Sequence, residues 1–206
     1  APVPPSDVDA LRSELGLEGK FVVSYIGTVG MAHGIDVVAE AAARCGDPDV
    51  TFLVVGAGAE WQKLRAAEAT AVDAGRDNLR VIEKQPRERI RTFYALTDVS
   101  LVLLRKRPTF RKVIPSKMLE SMAMRRPIVL GVEGQSRDIL EAAGAGIAVP
   151  PEDADALLDA VFRLKLDPAL RERMGEAGAA HVQRHYDRQV IARRYWALLQ
   201  QVAAGE

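Results

Sequence analysis

The chain has 206 residues, of which 48% are hydrophobic and 27% are charged. This is enough for a sizeable core in one α/β domain or at most two small ones. Its 28 basic and 28 acidic residues balance, which argues against a nucleic-acid partner, because proteins dedicated to nucleic acids carry a basic excess. The single cysteine, Cys45, excludes an intramolecular disulfide, and no apolar run approaches the length of a membrane span.

Short apolar runs alternate with helical patterns over the first 150 residues. The predicted strands are residues 21–26, 50–55, 78–82, 99–104, 128–130 and 146–149. Strands of about five residues separated by helices pair in parallel through right-handed crossovers. We therefore expect an α/β fold, a doubly wound parallel sheet of about six strands with helices on both faces.

The predicted helices fill the intervals and the C-terminal end. The first spans residues 7–17, with Ser6 as its cap and Gly16 or Gly19 near its end. Pro86 opens the helix before the fourth strand, and Pro127 is expected to stop the helix before the fifth. The other predicted helices are residues 35–45, 61–74, 136–143, 153–166, 168–185 and 187–202.

The ligand edge of such a sheet lies beyond the carboxyl ends of its strands. The segments expected there are residues 27–34, 56–59, 83–85, 105–116 and 131–136. Glycine-rich and basic stretches therefore gather on one edge, where backbone can approach a ligand closely.

The stretch from Val113 to Val129 carries the strongest chemical signal. Pro115 and Ser116 open a short helix, whose N-terminus suits a phosphate, and Lys117 adds a full charge there. Glu120 lies one turn further on the same face, where it could accept hydrogen bonds from vicinal sugar hydroxyls. Two interpretations remain open on spacing alone: a nucleotide diphosphate site, or an ordinary helix start with a solvated Lys–Glu pair.

Histidines, the cysteine and the C-terminal aromatic residues give weaker signals. His33 either donates to a bound ligand or caps the next helix. His181 and His185 lie four residues apart but lack the third ligand that a zinc site requires, so we interpret them as surface residues. Tyr195 and Trp196 are typical of anchors that pack the last helix onto another surface.

Six short motifs occur in one order along the chain: Tyr25-Ile-Gly-Thr…His-Gly34, Val55-Gly-Ala-Gly58, Tyr94-Ala-Leu-Thr-Asp-Val99, Pro115-Ser-Lys…Glu120-Ser-Met-Ala, Pro127-Ile-Val129 and Gly144-Ala-Gly-Ile-Ala-Val-Pro150. The series resembles the C-terminal, donor-binding domain of retaining glycosyltransferases with two Rossmann domains (GT-B), family four or group one. The glycine loop and the Pro-Ser-Lys motif are most similar to transferases that build bacterial surface polysaccharides.

The resemblance implies a nucleotide-sugar donor, UDP rather than GDP, with no cofactor and no obligatory metal. It places Gly30, Ser116 and Lys117 on the diphosphate and Glu120 on the ribose, and it assigns no catalytic residue. The base would lie along the backbone of residues 82–84. Further possible donor contacts are Gly27, Thr28, His33, Gly56, Ile82, Glu83 and Arg105.

The resemblance also implies a domain organisation. Residues 1–19 would be a linker and short helix, 20–186 the Rossmann-like donor domain, and 187–206 a C-terminal crossing helix. The chain begins with a proline-rich linker and no initiator Met, so we expect a fragment that lacks the N-terminal acceptor domain. The expected partner is a glycan or lipid-linked acceptor, and the expected location is cytoplasmic, at a membrane surface.

Three positions depart from the commoner family pattern. Thr28 and His33 stand where an arginine and a lysine are usual, and Lys112 stands where the first glutamate of a Glu-x7-Glu motif is usual. Two phosphate cations and one acid are therefore missing. A hypothesis is that the basic loop 105–112, together with Lys117, restores the positive charge.

Rival functions remain from other classes. A sugar-nucleotide 2-epimerase half would use acidic and histidine proton-transfer groups, for which only His33 and Glu133 are candidates. A non-catalytic nucleotide-binding module also fits. A receiver domain needs acids at the strand ends that Gly27 and Gly56 occupy, and an NAD enzyme needs a Gly-x-Gly-x-x-Gly loop that is absent.

Overall fold

A computed structural model describes residues 3–204. Residues 1 and 2 of the expected proline-rich linker lie outside this range. Six strands are present: β1 Phe21–Ile26, β2 Val50–Val55, β3 Leu79–Ile82, β4 Val99–Leu103, β5 Ile128–Gly131 and β6 Gly146–Ala148. The helices are α1 Pro5–Leu15, α2 Asp36–Arg44, α3 Trp61–Asp73, α4 Arg87–Leu96, α5 Ser116–Ala123, α6 Gln135–Ala143, α7 Ala154–Leu166, α8 Pro168–His185 and α9 Arg188–Ala204.

The six strands form one parallel sheet in the order β3-β2-β1-β4-β5-β6. The predicted fold class and strand number are confirmed. The strand order reverses between β1 and β4, so a crevice opens beyond their carboxyl ends. The loops that follow these two strands are the glycine loop and the basic stretch that leads into α5.

The pleat of β1 explains why helices cover both faces. Phe21, Val23 and Tyr25 belong to the core cluster that includes apolar residues of α2, α3 and α7. Val22 and Ile26 point the other way, into the cluster formed with α1 and α4. A strand buried on both faces is a continuous apolar run, which is the pattern that predicted it.

Several helix ends differ from the prediction, most of them by one or two residues, and two of the differences have a clear cause. Helix α1 starts at Pro5 with Pro4 as its cap, not at Asp7 with Ser6 as its cap, because proline is already set for the first helical turn. Helix α5 ends at Ala123, four residues before Pro127, and Arg125 then takes a left-handed conformation with φ 55°. Two 3-10 turns, Met31–His33 and Pro108–Lys112, were not predicted.

The C-terminal helices continue from the Rossmann-like unit. Helix α8 packs against α5, and a Cβ atom on Gly175 would lie 2.4 Å from the Arg125 carbonyl oxygen, so glycine permits the close approach. In α9, Tyr195 and Trp196 are each 63% exposed, so within the described residues they do not anchor this helix. No helix within residues 3–204 is long and apolar enough to cross a bilayer.

Candidate functional site

A cleft of about 1030 Å³ lies at the carboxyl ends of β1 and β2. The loops after these strands form one wall, and α4 and α5 form the other. Its lining includes Gly27, Thr28, Gly56, Gly58, Tyr94 and Glu120. Of the residues predicted as donor contacts, the structure therefore brings Gly27, Thr28, Gly56 and Glu120 together.

Two glycine loops meet backbone to backbone beside this cleft. The Val29 amide donates to the Ala57 carbonyl at 2.9 Å, and the Glu60 amide donates to the Val29 carbonyl at 3.0 Å. A Cβ atom on Gly56 would lie 1.8 Å from the Gly27 carbonyl oxygen. Gly56 is therefore required for the two loops to touch, and its effect on a ligand acts through the shape of the loop.

Lys117 occupies the first turn of α5 and reaches back under the glycine loop. Its Nζ atom is shielded from solvent and has no hydrogen-bond partner in the described part of the chain. The atom lies 3.6 Å from the centre of the Tyr25 ring, and a Cβ atom on Gly27 would approach it to 3.2 Å. An ammonium group with three donors and no acceptor is left over at the predicted phosphate site.

Burial sets the charge state of this lysine. Desolvation lowers the pKa of Lys117 to about 7, and the nearby Glu120 carboxylate opposes the shift. Near pH 7 the charged and neutral forms of this lysine are therefore about equally populated. A bound anion would stabilise the charged form and draw a proton onto Nζ.

The start of α5 is open to a ligand. Pro115 precedes the helix, and no side chain in the described part of the chain caps it, so its first amide groups are free of a side-chain acceptor there. Ser116 is exposed at this turn. Ser116 and Lys117 thus lie together at a helix N-terminus, which is the arrangement that their sequence motif predicted.

His33 lies beside Tyr25 and is not among the described residues that line the cleft. Its ring centre is 6.2 Å from that of Tyr25, and its Nδ1 atom lies 3.2 Å from both the amide and the carbonyl of Gly30. Burial and the charge of Lys117 lower the pKa of His33, so the ring is neutral at pH 7. The ring closes the 3-10 turn from Gly30. It does not cap α2, whose N-cap is Ile35 and which has no side-chain cap among the described residues, so the capping interpretation is wrong; a contact of His33 with a ligand stays a prediction.

Glu120 is exposed and lines the cleft. Its Oε2 atom accepts a hydrogen bond of 3.2 Å from the Tyr94 hydroxyl. Burial and the Glu120 carboxylate raise the pKa of Tyr94, so this hydroxyl stays protonated and holds the carboxylate in place. The free lone pairs of Glu120 can accept from hydroxyl groups in the cleft.

Arg105 is engaged within the chain. It forms ion pairs of 2.9 Å with Asp36 and with Glu152, and its Nε atom donates to the Met31 carbonyl at 2.6 Å. The Arg105 amide also donates to the Ala32 carbonyl. Its charge is therefore compensated, and it clamps the glycine loop; it does not fill the place of the missing phosphate cations.

The predicted base slot is only partly in the cleft. Lys84 and Gln85 belong to its lining, whereas Ile82 and Glu83 do not line it in the part of the chain described. The Ile82 carbonyl accepts from the Gly56 amide at 3.0 Å. Ile82 therefore supports the loop from behind.

The sequence model of a protein family described as "Glycosyl transferases group 1" matches residues 7–181 of the chain. The chain belongs to this family. Among curated proteins, alpha-D-kanosaminyltransferase of Streptomyces kanamyceticus is 32% identical over 183 residues, which cover 84% of this chain and 45% of that protein. The putative colanic acid biosynthesis glycosyl transferase WcaI of Escherichia coli K12 is 27% identical over 194 residues, 92% of this chain and 46% of that protein. The chain thus spans about half the length of these relatives.

Solved structures agree on the fold. Anabaena Alr3699/HepE in complex with UDP superposes with a TM-score of 0.83 at 19% identity, over 97% of this chain and 54% of that one. The C-terminal domain of the group 1 family protein LpcC from Francisella tularensis superposes with a TM-score of 0.71 at 20% identity, over 91% of this chain and 95% of that one. The family resemblance stated from the motifs is confirmed, and it favours the transferase over the receiver and NAD readings.

Sequence reasoning missed three residues of this group 1 site. Tyr25 was interpreted only as part of a buried strand. The Lys117 ammonium group in fact lies over the Tyr25 ring, and the Tyr25 hydroxyl donates to the Thr28 carbonyl at 2.7 Å. Tyr94 holds Glu120, and Arg188 of α9 lines the cleft. Tyr25 and Tyr94 each belong to one of the six family motifs, which could have indicated a role in the site. Nothing in the sequence spacing places Arg188 at the cleft.

The paired histidines show no metal site. His181 and His185 have ring centres 4.6 Å apart on α8. Within residues 3–204, no group of three His, Cys, Asp or Glu side chains could hold a metal ion.

Proposed function

We propose that the chain is the donor-binding half of a retaining, metal-independent glycosyltransferase. It would bind a nucleotide diphosphate sugar, UDP in preference to GDP, and present a hexose or amino sugar to a glycan or lipid-linked acceptor. The observation that carries this proposal is the Nζ atom of Lys117 at the start of α5, which is shielded from solvent and has no hydrogen-bond partner among residues 3–204. A buried donor without an acceptor is costly unless a ligand satisfies it.

The surroundings of Lys117 support a diphosphate. Gly27 leaves room beside the ammonium group, and the uncapped start of α5 adds amide donors. Glu120 lies one helical turn further, where a ribose attached to the same diphosphate would present its hydroxyls. Complexes of Alr3699/HepE with UDP and with UDP-glucose have the same fold and lend support to this ligand class.

The chemistry would be electrostatic. Negative charge grows on the departing phosphate as the glycosidic bond breaks, and preorganised donors stabilise this charge. Lys117, the amides at Ser116 and the backbone at Gly30 would share this task. We assign no nucleophile on this chain.

The acceptor would be bound by a second half. The chain spans about half the length of its curated relatives, and α9 exposes the apolar side chains Ile191, Tyr195, Trp196, Leu198, Leu199 and Val202. We propose that this face packs against the acceptor-binding half in the whole protein, and that residues 1–206 alone bind donor with little or no turnover. The working location would be the cytoplasmic side of a membrane.

A thermal-shift series tests the proposal. UDP, GDP, UMP, inorganic phosphate and NAD are compared at equal millimolar concentration. Saturation at 100 times the dissociation constant adds about 2.7 kcal/mol, which moves the midpoint by a few degrees. We expect a shift with UDP that UMP and NAD do not produce. Equal shifts with UDP and NAD, or with UDP and UMP, would contradict a diphosphate site.

A further inference from the structure

A second pocket, of about 500 Å³, lies between α6, α8 and α9. In the described part of the chain it shares no lining residue with the donor cleft. Its volume is within the range of small-molecule sites. The polar side chains that line it are Gln135, Asp138, His181, His185, Tyr186 and Arg194.

Three rings meet in this second pocket at the end of α8. His181 and His185 lie one helical turn apart, and their ring centres are 4.6 Å apart. The ring of Tyr186, the C-cap residue of α8, has its centre 6.0 Å from that of His181. Imidazole and phenol groups can all donate hydrogen bonds, so the end of α8 brings three donors into one pocket.

The charges around these rings favour an anion. Arg194 of α9 lines the pocket, and Asp138 of α6 is the one acid among its described lining residues. Within residues 3–204, no ion pair involves Arg194, Asp138 or either histidine. Arg184 of α8 adds a positive charge close to His181. With both imidazoles protonated, the lining would carry three positive charges against one negative charge.

His181 senses these surroundings. Burial and the charges of His185 and Arg184 lower the pKa of His181. An anion beside the ring would favour its protonated form and reverse the shift. The ionisation of this one imidazole can therefore report whether the pocket is filled.

From the three donors, the excess of positive charge and the volume of the pocket, we infer that it binds the phosphate group of a small phosphorylated molecule. A phosphate monoester carries close to two negative charges at neutral pH, which match the net charge of the protonated lining. Arg194 adds a guanidinium group, whose planar set of donors suits phosphate oxygens.

The remainder of the ligand would lie on α6. Ile139 and Ala142 line the same pocket and offer apolar contact to the part of the molecule that carries the phosphate, and the Gln135 amide offers a polar one. The ligand would thus bridge α6, α8 and α9. Its site would exist whether or not the donor cleft binds a nucleotide, because the two share no described lining residue.

Nuclear magnetic resonance of the histidine side chains tests this site, because the chain has 3 histidines and their signals can be assigned singly. The probe is millimolar inorganic phosphate, compared with chloride at equal ionic strength. We expect phosphate, and not chloride, to move the signals of His181 and His185 and to raise the pKa of His181 by about one unit. Unchanged signals at saturating phosphate, or equal changes with chloride, would overturn the inference.

Two neighbouring arginines give a matched pair of variants. Arg194→Gln removes a pocket residue, whereas Arg193→Gln removes an exposed charge of the same helix that is not among the described residues of the lining. Phosphate should bind about tenfold more weakly, or worse, to Arg194→Gln and equally well to Arg193→Gln. Equal losses in the two variants would show that positive charge on α9 alone attracts the ion and would overturn a built site.

The acid of the pocket gives a test of opposite sign. Asp138→Asn removes the one negative charge among the described lining residues, so phosphate should bind about twofold to fivefold more tightly. Unchanged or weaker binding to this variant would place the ion away from the pocket.

Two further arms identify the phosphate and separate the two sites. Glucose 1-phosphate should bind at least as tightly as inorganic phosphate, because the wall of α6 adds contacts; markedly weaker binding would contradict a phosphorylated molecule as the ligand. Lys117→Met should keep the change in the His181 pKa, since Lys117 belongs to the donor site. Loss of the change in this variant would show that phosphate acts through the donor site and would overturn a separate pocket.

Discussion

The ammonium group of Lys117 lies 3.6 Å from the centre of the Tyr25 ring and has no hydrogen-bond acceptor among the described residues. A cation–π contact of this kind contributes about 0.5–2 kcal/mol. It orients the lysine without satisfying its three donors. An anion that enters beside Gly27 would complete the coordination that the chain leaves unfinished.

Replacing Lys117 by methionine tests whether this lysine binds the diphosphate. Lys117→Met keeps the apolar stem but removes the charge-assisted hydrogen bonds, which are each worth about 1.5–3 kcal/mol. We expect UDP affinity to fall about tenfold to a hundredfold, with much less effect on uridine, both measured by calorimetry. Lys20→Met, at the amino-terminal edge of β1, is the control and should change neither. Equal losses for UDP and uridine would remove Lys117 from the diphosphate site.

The pH dependence of binding follows from the pKa of Lys117, which burial lowers to about 7. At pH 8 the free protein holds this lysine mostly neutral, and a bound diphosphate raises its pKa again. UDP binding at pH 8 should therefore take up a large part of one proton, and affinity should fall as pH rises above 7. Calorimetry in buffers of different ionisation enthalpy measures the uptake. Uptake that persists in Lys117→Met would exclude this lysine as its source.

The same pKa predicts a trend in stability without ligand. A lysine in the unfolded chain titrates near pH 10.4, so between pH 7 and 10 the unfolded state binds more protons than the folded state. The contribution of Lys117 to the free energy of unfolding then rises with pH over this window. Urea unfolding at pH 7 and pH 9 should show this rise, and Lys117→Met should lack it. A fall that depends on Lys117 would contradict the depressed pKa.

Gly56 offers a steric test of the loop contact. A Cβ atom there would lie 1.8 Å from the Gly27 carbonyl oxygen, whereas one on Gly46 would meet none of the described residues within 4 Å. Gly56→Ala should lower the free energy of unfolding by about 1–3 kcal/mol or more, as overpacking does, and should weaken UDP binding. Gly46→Ala should be close to neutral. Similar urea midpoints for the two variants would show that the loops are not in fixed contact.

A substitution at Arg105 tests whether its ion pairs hold the glycine loop in place. Arg105→Gln removes the ion pairs to Asp36 and Glu152, so we expect faster amide hydrogen exchange over Met31–His33 and a UDP affinity reduced less than in Lys117→Met. Arg107→Gln, which removes an exposed charge, is the control for exchange. Unchanged exchange in Arg105→Gln would mean that the loop holds its shape without the clamp.

The sheet could be predicted closely because its signal is local. Strands β1, β2 and β4 are buried along their whole length and each follows a charged residue, so composition marks them directly. Helix ends were less accurate: α5 ends at Ala123 because Arg125 turns left-handed, and nothing in the residue type announces that turn.

The sequence predicts the arrangement of site residues that belong to one short motif. It does not predict contacts between residues that are far apart in the chain. Ser116, Lys117 and Glu120 share one helix, so their spacing places them together. The partners of Arg105 come from separate segments, at Asp36, Met31 and Glu152. Only the tertiary fold shows that Asp36 and Glu152 neutralise the charge of Arg105. The same holds for Tyr25 beneath Lys117, since strand and helix are far apart in sequence.

A structure of the chain with UDP bound would show directly whether Lys117 binds the diphosphate. We expect a β-phosphate oxygen within hydrogen-bond distance of Lys117 Nζ, at the start of α5, and the ribose hydroxyls on the Glu120 carboxylate. UDP bound elsewhere, with Lys117 Nζ still on the Tyr25 ring and without an acceptor, would contradict it.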